Sequence, residues 1–533
     1  MGWGAVQNPS VNSVSLWPVL ILNGTSVYEL LLDGIQNVLQ MKYLLPLCIG
    51  TLVGVLGGAL PGITNTMTVI MVLPFTFGLE PLQGLAAMIG VYVGGESGGL
   101  IASTLLGIPG KPSSVATMFD GFPMARKGEP GRALWLGIWA SFFGGLLGGL
   151  FLIGTTGPLA AIALKFGPWE YFSLFVFALS MVAGLTGASL AAGLLSGAIG
   201  LVVTVMGNDP VMGQTRLTLG VRFIEGGIPF LPVLIGVFAF AQIMSDVERM
   251  GGSRRDPAAG LVAPRLVVSH LKVIREILSR PVMLLWTSFV GVLIGVLPAI
   301  GGSAANVMAY DQAKKFSRHP ERFGTGTPEG IIAAEAANNS NVGGSLVTIM
   351  AFGIPGDAVT AVMLGALTIH GIQPGPLFIS QQPTLAYGMF AAYILAHFVM
   401  IAIMFVGVRW FLLVVSVPKA TLFPIVLVLC VIGAYALDNT MANVYVLALF
   451  GVIGYLMVKG ALPLAPLILG VILGDQIEIN MIRAIMTDSN LWLFFTRPIS
   501  GVLLFLSVAS VVFALWQRGW QQKSVSRSGD ADF

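Results

Sequence analysis

Residues 54–63 read GVLGGALPGI, and residues 291–300 read GVLIGVLPAI, so seven of ten positions are identical. Further along the chain, the tetrapeptide GIPG occurs at residues 107–110 and again at residues 353–356. The same two motifs therefore occur twice, in the same order. Because proline and glycine interrupt regular helices, each motif predicts a break between helical segments. The repetition predicts a chain built from two copies of one structural unit.

The composition of the chain is that of a membrane protein. Charged residues make up 10% of the 533 residues and apolar residues 56%, with a mean hydropathy of +0.88. Soluble proteins carry about 25% charged residues, so a soluble enzyme, a disordered chain and a nucleic-acid-binding protein are excluded. The apolar runs are long rather than alternating, which excludes an outer-membrane barrel. The fold class that remains is an all-α polytopic membrane protein, unusually rich in glycine with 68 residues of this type.

Long apolar segments predict about 10 to 12 transmembrane helices, because each helix needs about 20 apolar residues to cross a bilayer. The clear candidates lie near residues 44–60, 84–106, 133–153, 172–206, 228–245, 282–298, 386–415, 420–437, 442–458 and 499–516. Shorter pieces broken by glycine or proline lie near residues 63–77, 302–310, 331–350, 357–370 and 461–474. The long run at 172–206 is expected to break at Gly184 and Gly187. A short interfacial helix is predicted at residues 26–40 from its amphipathic pattern.

The distribution of Lys and Arg predicts the orientation of the two copies. Most of the 27 basic residues fall in segments 111–132, 246–281 and 311–329 and in the tail after residue 516. Cytoplasmic loops are enriched in Lys and Arg, so these four segments, including the C-terminus, are expected to face the cytoplasm. In the first copy the basic loop follows GIPG, whereas in the second copy it follows the proline motif. This reversal predicts inverted-topology repeats with re-entrant hairpins and broken helices, as in many secondary transporters.

These patterns divide the chain into five parts. They are an N-terminal segment with an interfacial helix (residues 1–43), a first transport repeat (44–245), a basic cytoplasmic linker (246–281), a second transport repeat (282–516) and a cytoplasmic tail (517–533).

Two polar stretches stand inside apolar segments, YVGGESGG at residues 92–99 and EAANNSNVGGS at residues 335–345. An ionisable group at membrane depth is costly, so Glu96 and Glu335 indicate functional positions. Both stretches are predicted to line a transport pathway. In contrast, the glycines at 144, 145, 148 and 149 are predicted to form tight helix contacts.

The broken helices predict where a solute and an ion bind. Backbone amides freed at a helix N-terminus attract anions, and carbonyl, Ser, Thr and Asn oxygens suit a hard cation such as Na⁺. The predicted substrate-binding residues are Thr64, Asn65, Gly107, Pro109, Gly110, Ser113, Ser303, Asn338, Asn339, Gly353, Pro355 and Gly356. The predicted cation-binding residues are Asn65, Thr66, Gly94, Glu96, Gly302, Asn306, Ser340 and Asn341.

Other chemistry lacks a signal in the sequence. The two cysteines and four histidines show no ligand spacing, so no transition metal and no cofactor are predicted beyond Na⁺ as the coupling ion. No GxxxxGK[ST] motif is present, and no Ser/His/Asp set stands out, so the chain is predicted not to be an enzyme. Two alternatives stay open. One is a membrane-embedded enzyme or scaffold subunit, with Glu96 and Glu335 as a catalytic carboxylate pair, and the weaker one is a channel.

The chain resembles the large membrane subunit of the tripartite tricarboxylate transporter family. The matching features are LPGI at residues 60–63, the two polar stretches and both GIPG motifs. The resemblance extends over about residues 20–516. Each motif alone is weak, but their joint presence is specific.

The resemblance implies a permease that imports small carboxylates, such as tri- or dicarboxylates, across the bacterial inner membrane in symport with a cation, usually sodium. It implies two protein partners, a small membrane subunit of four helices and a periplasmic solute-binding protein that delivers the substrate. It also implies an elevator-like movement of part of each repeat. The lipid bilayer is the remaining expected partner, and no nucleic-acid partner is expected. The identity of the solute, the ion stoichiometry and a homo-oligomeric state stay open.

Overall fold

The protein is almost entirely helical over the residues that its structure, a computed structural model, describes. Those residues are 21–22, 25–185, 189–209, 213–250, 268–298, 300–414 and 417–529. Gly187 and residues 251–267 of the basic linker lie outside the described residues.

Twenty-two helices are described. In chain order they are α1 Val27–Leu39, α2 Met41–Ala59, α3 Asn65–Thr76, α4 Pro81–Leu106, α5 Val115–Arg126, α6 Pro130–Ala163, α7 Pro168–Leu185, α8 Leu190–Val205, α9 Phe230–Ile235, α10 Ala241–Met250, α11 His270–Leu278, α12 Pro281–Val296, α13 Gly301–Phe316, α14 Pro328–Phe352, α15 Ala358–Ile369, α16 Phe378–Gln381, α17 Pro383–Val414, α18 Lys419–Asp438, α19 Met441–Lys459, α20 Leu464–Thr487, α21 Leu493–Thr496 and α22 Pro498–Gly529. A π-helical segment, Gly236–Phe240, joins α9 to α10.

The described strands are very short and form two antiparallel hairpins. In the first, β1 Ile21–Leu22 pairs with β2 Thr25–Ser26. In the second, β3 Gly207–Asn208 pairs with β4 Thr215–Arg216.

Nine helices within the described residues are long and apolar enough to cross a membrane, or up to ten if the bent pair α11–α12 is one span. The prediction of an all-α polytopic membrane protein is confirmed, and the number of spans lies at or below the lower end of the predicted range. The segment near 172–206 divides into α7 and α8, as expected. The pieces near 331–350 and 461–474 were predicted as short, but they belong to the longer helices α14 and α20. The interfacial segment near 26–40 is helix α1.

The two sequence copies fold into the same order of helices. In the first copy α2 to α6 follow one another, and in the second copy α12 to α15 are followed by α17. Both proline motifs end a helix in the same way: the Leu60 amide donates to the Gly57 carbonyl at 3.2 Å, and the Leu297 amide donates to the Ile294 carbonyl at 3.1 Å. The two copies therefore share an order of helices and a type of helix end, while the duplicated transport unit and its inverted topology stay predictions.

Both GIPG motifs end a helix at a left-handed glycine. Gly107 closes α4 with φ 66°, and Gly353 closes α14 with φ 71°. This conformation is favourable for glycine because it has no Cβ, and it is a common way for a helix to end. The chain then continues through proline, which cannot extend the helix. Each motif thus separates a long buried helix from a following helix of 12 residues, α5 or α15.

Glycines bring the helices of each copy into backbone contact. A Cβ on Gly54 of α2 would overlap the Val91 carbonyl of α4, and a Cβ on Gly98 of α4 would overlap the Val55 carbonyl of α2. In the second copy, a Cβ on Gly295 of α12 would overlap the Asn341 carbonyl of α14. Small residues allow such close approach where lipid gives no hydrophobic drive for association.

Helix α6 packs against the second copy through the glycines predicted to form tight contacts. A Cβ on Gly144 would overlap the Ala336 backbone, and one on Gly148 would lie 2.8 Å from the Ser340 Cα. The two long polar helices α4 and α14 are therefore enclosed by other helices. Their polar stretches lie in helix interiors at positions that are fully or almost fully buried.

Candidate functional site

The helix breaks of both copies meet at a polar cavity of about 230 Å³. Residues from the first copy, the second copy and the π-helical region contribute to its wall. The lining residues are Thr64, Asn65, Thr66, Glu96, Lys111, Pro112, Ser113, Val237, Phe238, Gln242, Ile300, Gly301, Gly302, Ser303, Asp357, Ala358, Val359 and Leu464. Irregular backbone at membrane depth is tolerated where it is buried in protein or lines a cavity, and this site satisfies that condition.

The carboxylate of Glu96 is held by three side chains from two helix breaks. Lys111 forms an ion pair with Oε2, and Ser113 Oγ donates to the same oxygen at 2.8 Å. Asn65 Nδ2 donates to Oε1 at 2.9 Å. Asn65 begins α3 after the first proline motif, whereas Lys111 and Ser113 follow the first GIPG motif. The fold thus assembles an ammonium, a hydroxyl and an amide around one carboxylate.

Lys111 is a buried residue of the site and is only 4% exposed. Its aliphatic stem occupies the space beside Gly99 of α4, where a Cβ would lie 2.6 Å from the Lys111 Cε. A buried ammonium is stable only with a counter-charge and hydrogen bonds, and Glu96 supplies that charge. Lys111, at the start of the basic segment 111–132, is therefore a buried residue of the site rather than part of an exposed loop.

Asp357 follows the second GIPG motif directly, as Lys111 follows the first, and it lines the same cavity. Its Oδ1 accepts the Thr360 amide at 2.8 Å and caps α15, and its Oδ2 accepts the Tyr92 hydroxyl. Tyr92 and Glu96 lie one turn apart on α4, so one face of α4 contacts both Asp357 and Lys111. Equivalent positions of the two copies thus supply opposite charges to one cavity.

Glu335 of α14 has different partners and does not line this cavity. Its carboxylate accepts the hydroxyls of Thr117 at 2.5 Å and Ser141 at 2.9 Å. Asn306 supports this network, because its Nδ2 donates to Thr117 Oγ1 at 3.2 Å. A catalytic carboxylate pair would share a site and a proton. The separate hydrogen-bond partners of Glu96 and Glu335 give no support to that arrangement.

Three buried asparagines have an amide oxygen without a hydrogen-bond partner among the described residues. They are Asn65, Asn338 and Asn341. The orientation of the Asn65 amide follows from its Nδ2, which donates to Glu96 Oε1 and, at 3.1 Å, to the Tyr92 carbonyl. Buried polar atoms without partners are rare in native proteins and call for a water or an ion.

The structure brings seven of the predicted site residues to the cavity wall, which are Thr64, Asn65, Thr66, Glu96, Ser113, Gly302 and Ser303. Five others are buried within helices: Gly94 in α4, and Asn338, Asn339, Ser340 and Asn341 in α14. Gly107, Pro109, Gly110, Pro355 and Gly356 form the two GIPG turns without lining this cavity. Asn306 lies in the Glu335 network, and Gly353 lines a larger cavity. The assignment of each residue to a substrate or a cation stays a prediction.

The predicted site residues do not include Lys111, Asp357 or Gln242, although Lys111 and Asp357 belong to the polar neighbourhoods of the two GIPG motifs. A signal existed for the first two, because each is the charged residue directly after a GIPG motif. Gln242 belongs to α10, where no motif marks it. Only the packing of the π-helical region brings it to the cavity.

A second cavity of about 630 Å³ lies beside the end of α14. Gly353 and Phe352 form part of its wall, together with residues of α8, α15 and α20. Its polar side chains are those of Thr204, Asn208, Thr368, Gln373, Asp475 and Gln476.

Fold and site together define a polytopic helical membrane protein whose broken helices meet at a cavity lined by buried charged residues, the architecture of a transporter. The family model of the tripartite tricarboxylate transporter TctA family matches residues 44–469. The chain belongs to this family, which works as one subunit of a multi-subunit transporter.

Two similar proteins come from Agrobacterium vitis. The chain is 35% identical over 471 residues to an uncharacterized 52.8 kDa protein in the TAR-I ttuC′ 3′ region, covering 88% of this chain and 92% of the relative. It is 33% identical over 226 residues to an uncharacterized protein in the TAR-II ttuC′ 3′ region, covering 42% of this chain and 93% of the relative. No solved structure matches the chain.

Proposed function

We propose that the chain is the permease subunit of a cation-coupled secondary transporter that imports small carboxylates, either tri- or dicarboxylates. The observation that carries the proposal is the set of donors at the cavity: the Lys111 ammonium, the Ser113 hydroxyl and the Asn65 amide already hold a carboxylate, that of Glu96. Charge-assisted hydrogen bonds of this kind are the strong interactions by which proteins recognise carboxylates.

The charge of the cavity supports coupling to a cation. With their ordinary charges, Lys111, Glu96 and Asp357 leave the cavity with one net negative charge. A di- or tricarboxylate adds further negative charge at a site where water screens it poorly. Cations in the same site therefore favour entry of the solute. Na⁺ is the proposed ion, because the candidate ligands are amide, hydroxyl and carboxylate oxygens.

The proposed partners are a small membrane subunit of four helices and a periplasmic solute-binding protein that delivers the carboxylate. The proposed location is the bacterial inner membrane, with the C-terminal tail in the cytoplasm, as the distribution of basic residues favours. Inverted repeats moving against a fixed scaffold are the proposed route to alternating access.

The proposal is tested by uptake into proteoliposomes that contain the full chain and the other transporter subunits. Radiolabelled citrate, succinate and benzoate serve as a tricarboxylate, a dicarboxylate and an aromatic acid. We expect accumulation of citrate or succinate with an inward sodium gradient, and loss of accumulation when choline replaces sodium. Accumulation of neither citrate nor succinate, or accumulation that is equal in choline, contradicts the proposal.

A further inference from the structure

We propose that the Glu96 carboxylate takes the position of the substrate's carboxylate while the site is empty. Glu96 binds Lys111 and Ser113 until a cation binds Glu96, and the substrate's carboxylate then binds Lys111 in its place. This inference rests on the proposed function and specifies how the cation and the carboxylate depend on each other at the same site.

The first step of the argument is the chemistry of the donor set. Lys111 Nζ and Ser113 Oγ both contact Glu96 Oε2, and Asn65 Nδ2 contacts Oε1. All three donors are side chains that line the cavity. Donors that hold one carboxylate in the empty site are equally suited to the carboxylate of a solute. The two carboxylates must therefore compete for Lys111.

The second step concerns the fate of Glu96 when a solute displaces it. An unpaired carboxylate at this depth is unfavourable, so Glu96 needs another positive partner. Two asparagines that donate to Glu96 each have an acceptor oxygen, Oδ1 of Asn65 and Oδ1 of Asn338, with no hydrogen-bond partner among the described residues. Both asparagines are at least nine-tenths buried, with 5% and 0% exposure. Neutral amide oxygens beside a carboxylate are the ligands that a hard cation such as Na⁺ takes.

The third step is the space beside Gly302. A Cβ at this position would lie 2.8 Å from Asn338 Oδ1 and 3.6 Å from Glu96 Oε2. Both oxygens thus lie beside Gly302, with Ser113 Cβ 3.3 Å from the same point, and residue 302 has no side chain that would occupy this space on the cavity wall. A cation in that space can neutralise Glu96 while Lys111 turns to the solute.

The coupling follows from competition. Only molecules in which Glu96 has released Lys111 bind the solute well. The apparent affinity for the solute is therefore the intrinsic affinity multiplied by the fraction of such molecules. A cation that binds Glu96 raises that fraction. By linkage, the solute strengthens cation binding by the same factor.

The test is equilibrium binding to the complete complex in nanodiscs, in sodium chloride and in choline chloride of equal ionic strength. The probe is whichever of citrate, succinate and benzoate the wild type accumulates. For the wild type we expect sodium to lower the dissociation constant about tenfold or more, as expected for one charge-assisted hydrogen bond. Glu96→Gln should bind the probe tightly in both salts. Lys111→Gln should weaken binding about tenfold or more in both salts.

Glu170→Gln is the matched control, because it removes a similarly buried carboxylate that pairs with Arg497 and does not line the cavity, and it should keep the sodium dependence of the wild type. Full sodium dependence in Glu96→Gln overturns the inference, and so does loss of binding by a Glu96→Gln protein that keeps wild-type thermal stability. If Glu96→Gln does not fold, wild-type binding by Lys111→Gln overturns the inference by itself. These results leave the proposed function standing, which fails if the wild type accumulates neither citrate nor succinate, or accumulates the acid equally in choline.

Discussion

The contact between α2 and α4 gives the sharpest prediction about stability, through the substitution Gly54→Ala. A Cβ at Gly54 would overlap the Val91 carbonyl oxygen and lie 2.8 Å from both the Val91 Cα and the Gly95 amide nitrogen. All three are backbone atoms of a buried helix. No side-chain rotation relieves the overlap, so the two helices must separate.

The expected magnitude combines two opposing effects. Alanine gains about 1 kcal/mol over glycine in a helix interior, while overpacking a well-packed interface costs about 1–3 kcal/mol. Gly154→Ala on α6 is the matched control, because a Cβ there meets nothing within 4 Å. Both substitutions share the helix-propensity gain. Gly54→Ala should therefore be less stable than Gly154→Ala by the overpacking cost alone, about 1–3 kcal/mol.

The assay is thermal or denaturant unfolding of the purified full chains in the same detergent. We expect a lower midpoint for Gly54→Ala than for Gly154→Ala. Equal stability of the two variants would refute the backbone contact between α2 and α4.

Three further predictions concern the site and the helix ends. Asn65→Ala and Asn339→Ala each remove a partner from a buried hydrogen bond, at a cost of about 1–3 kcal/mol. Both variants should weaken sodium-dependent uptake in proteoliposomes, and unchanged sodium dependence in both contradicts their predicted roles. Asp357→Ala removes both the α15 cap, which contributes about 1 kcal/mol, and an acceptor of the buried Tyr92 hydroxyl, so it should be less stable than Asp357→Asn, which keeps a capping oxygen. Equal thermal stability of the two variants contradicts the cap. Gly353→Ala forces alanine into a left-handed conformation at about 1–2 kcal/mol and adds a contact of 2.9 Å with the Pro374 carbonyl. It should be less stable in thermal unfolding than Gly371→Ala, where φ is 69° but the space is open, and a reversed order contradicts the contact.

The helices were predictable because lipid leaves few alternatives to them. Apolar length locates α2, α4 and α6, and the repeated proline motif locates the start of α3 and α13. The 25-residue helix α14 was predicted too short, because its polar stretch lowers the hydropathy although it lies in the helix interior. Burial by neighbouring helices, rather than its own composition, makes that helix stable.

The site was predictable in part, and for a physical reason. Glu96, Asn65 and Ser113 stand out as polar residues near glycine or proline, and the fold brings them together. Lys111 was assigned to a loop because a charge count along the sequence does not distinguish a solvated lysine from a buried one. Gln242 reaches the cavity only through tertiary packing, which leaves no local pattern. Pairings such as Lys111 with Glu96 depend on the helix break between them and not on their spacing.

The central claim is that the solute binds in the cavity between the helix breaks of the two copies. Its most direct test is protection of a cysteine placed on the cavity wall, Ser303→Cys, in a chain whose Cys48 and Cys430 are replaced by alanine. The rate of maleimide labelling is measured with and without sodium and the transported acid, and Thr325→Cys on the exposed surface serves as the control. We predict that sodium and the acid together slow labelling of Ser303→Cys and leave Thr325→Cys unchanged. Equal labelling rates of Ser303→Cys, in a variant that still transports the acid, would contradict the claim.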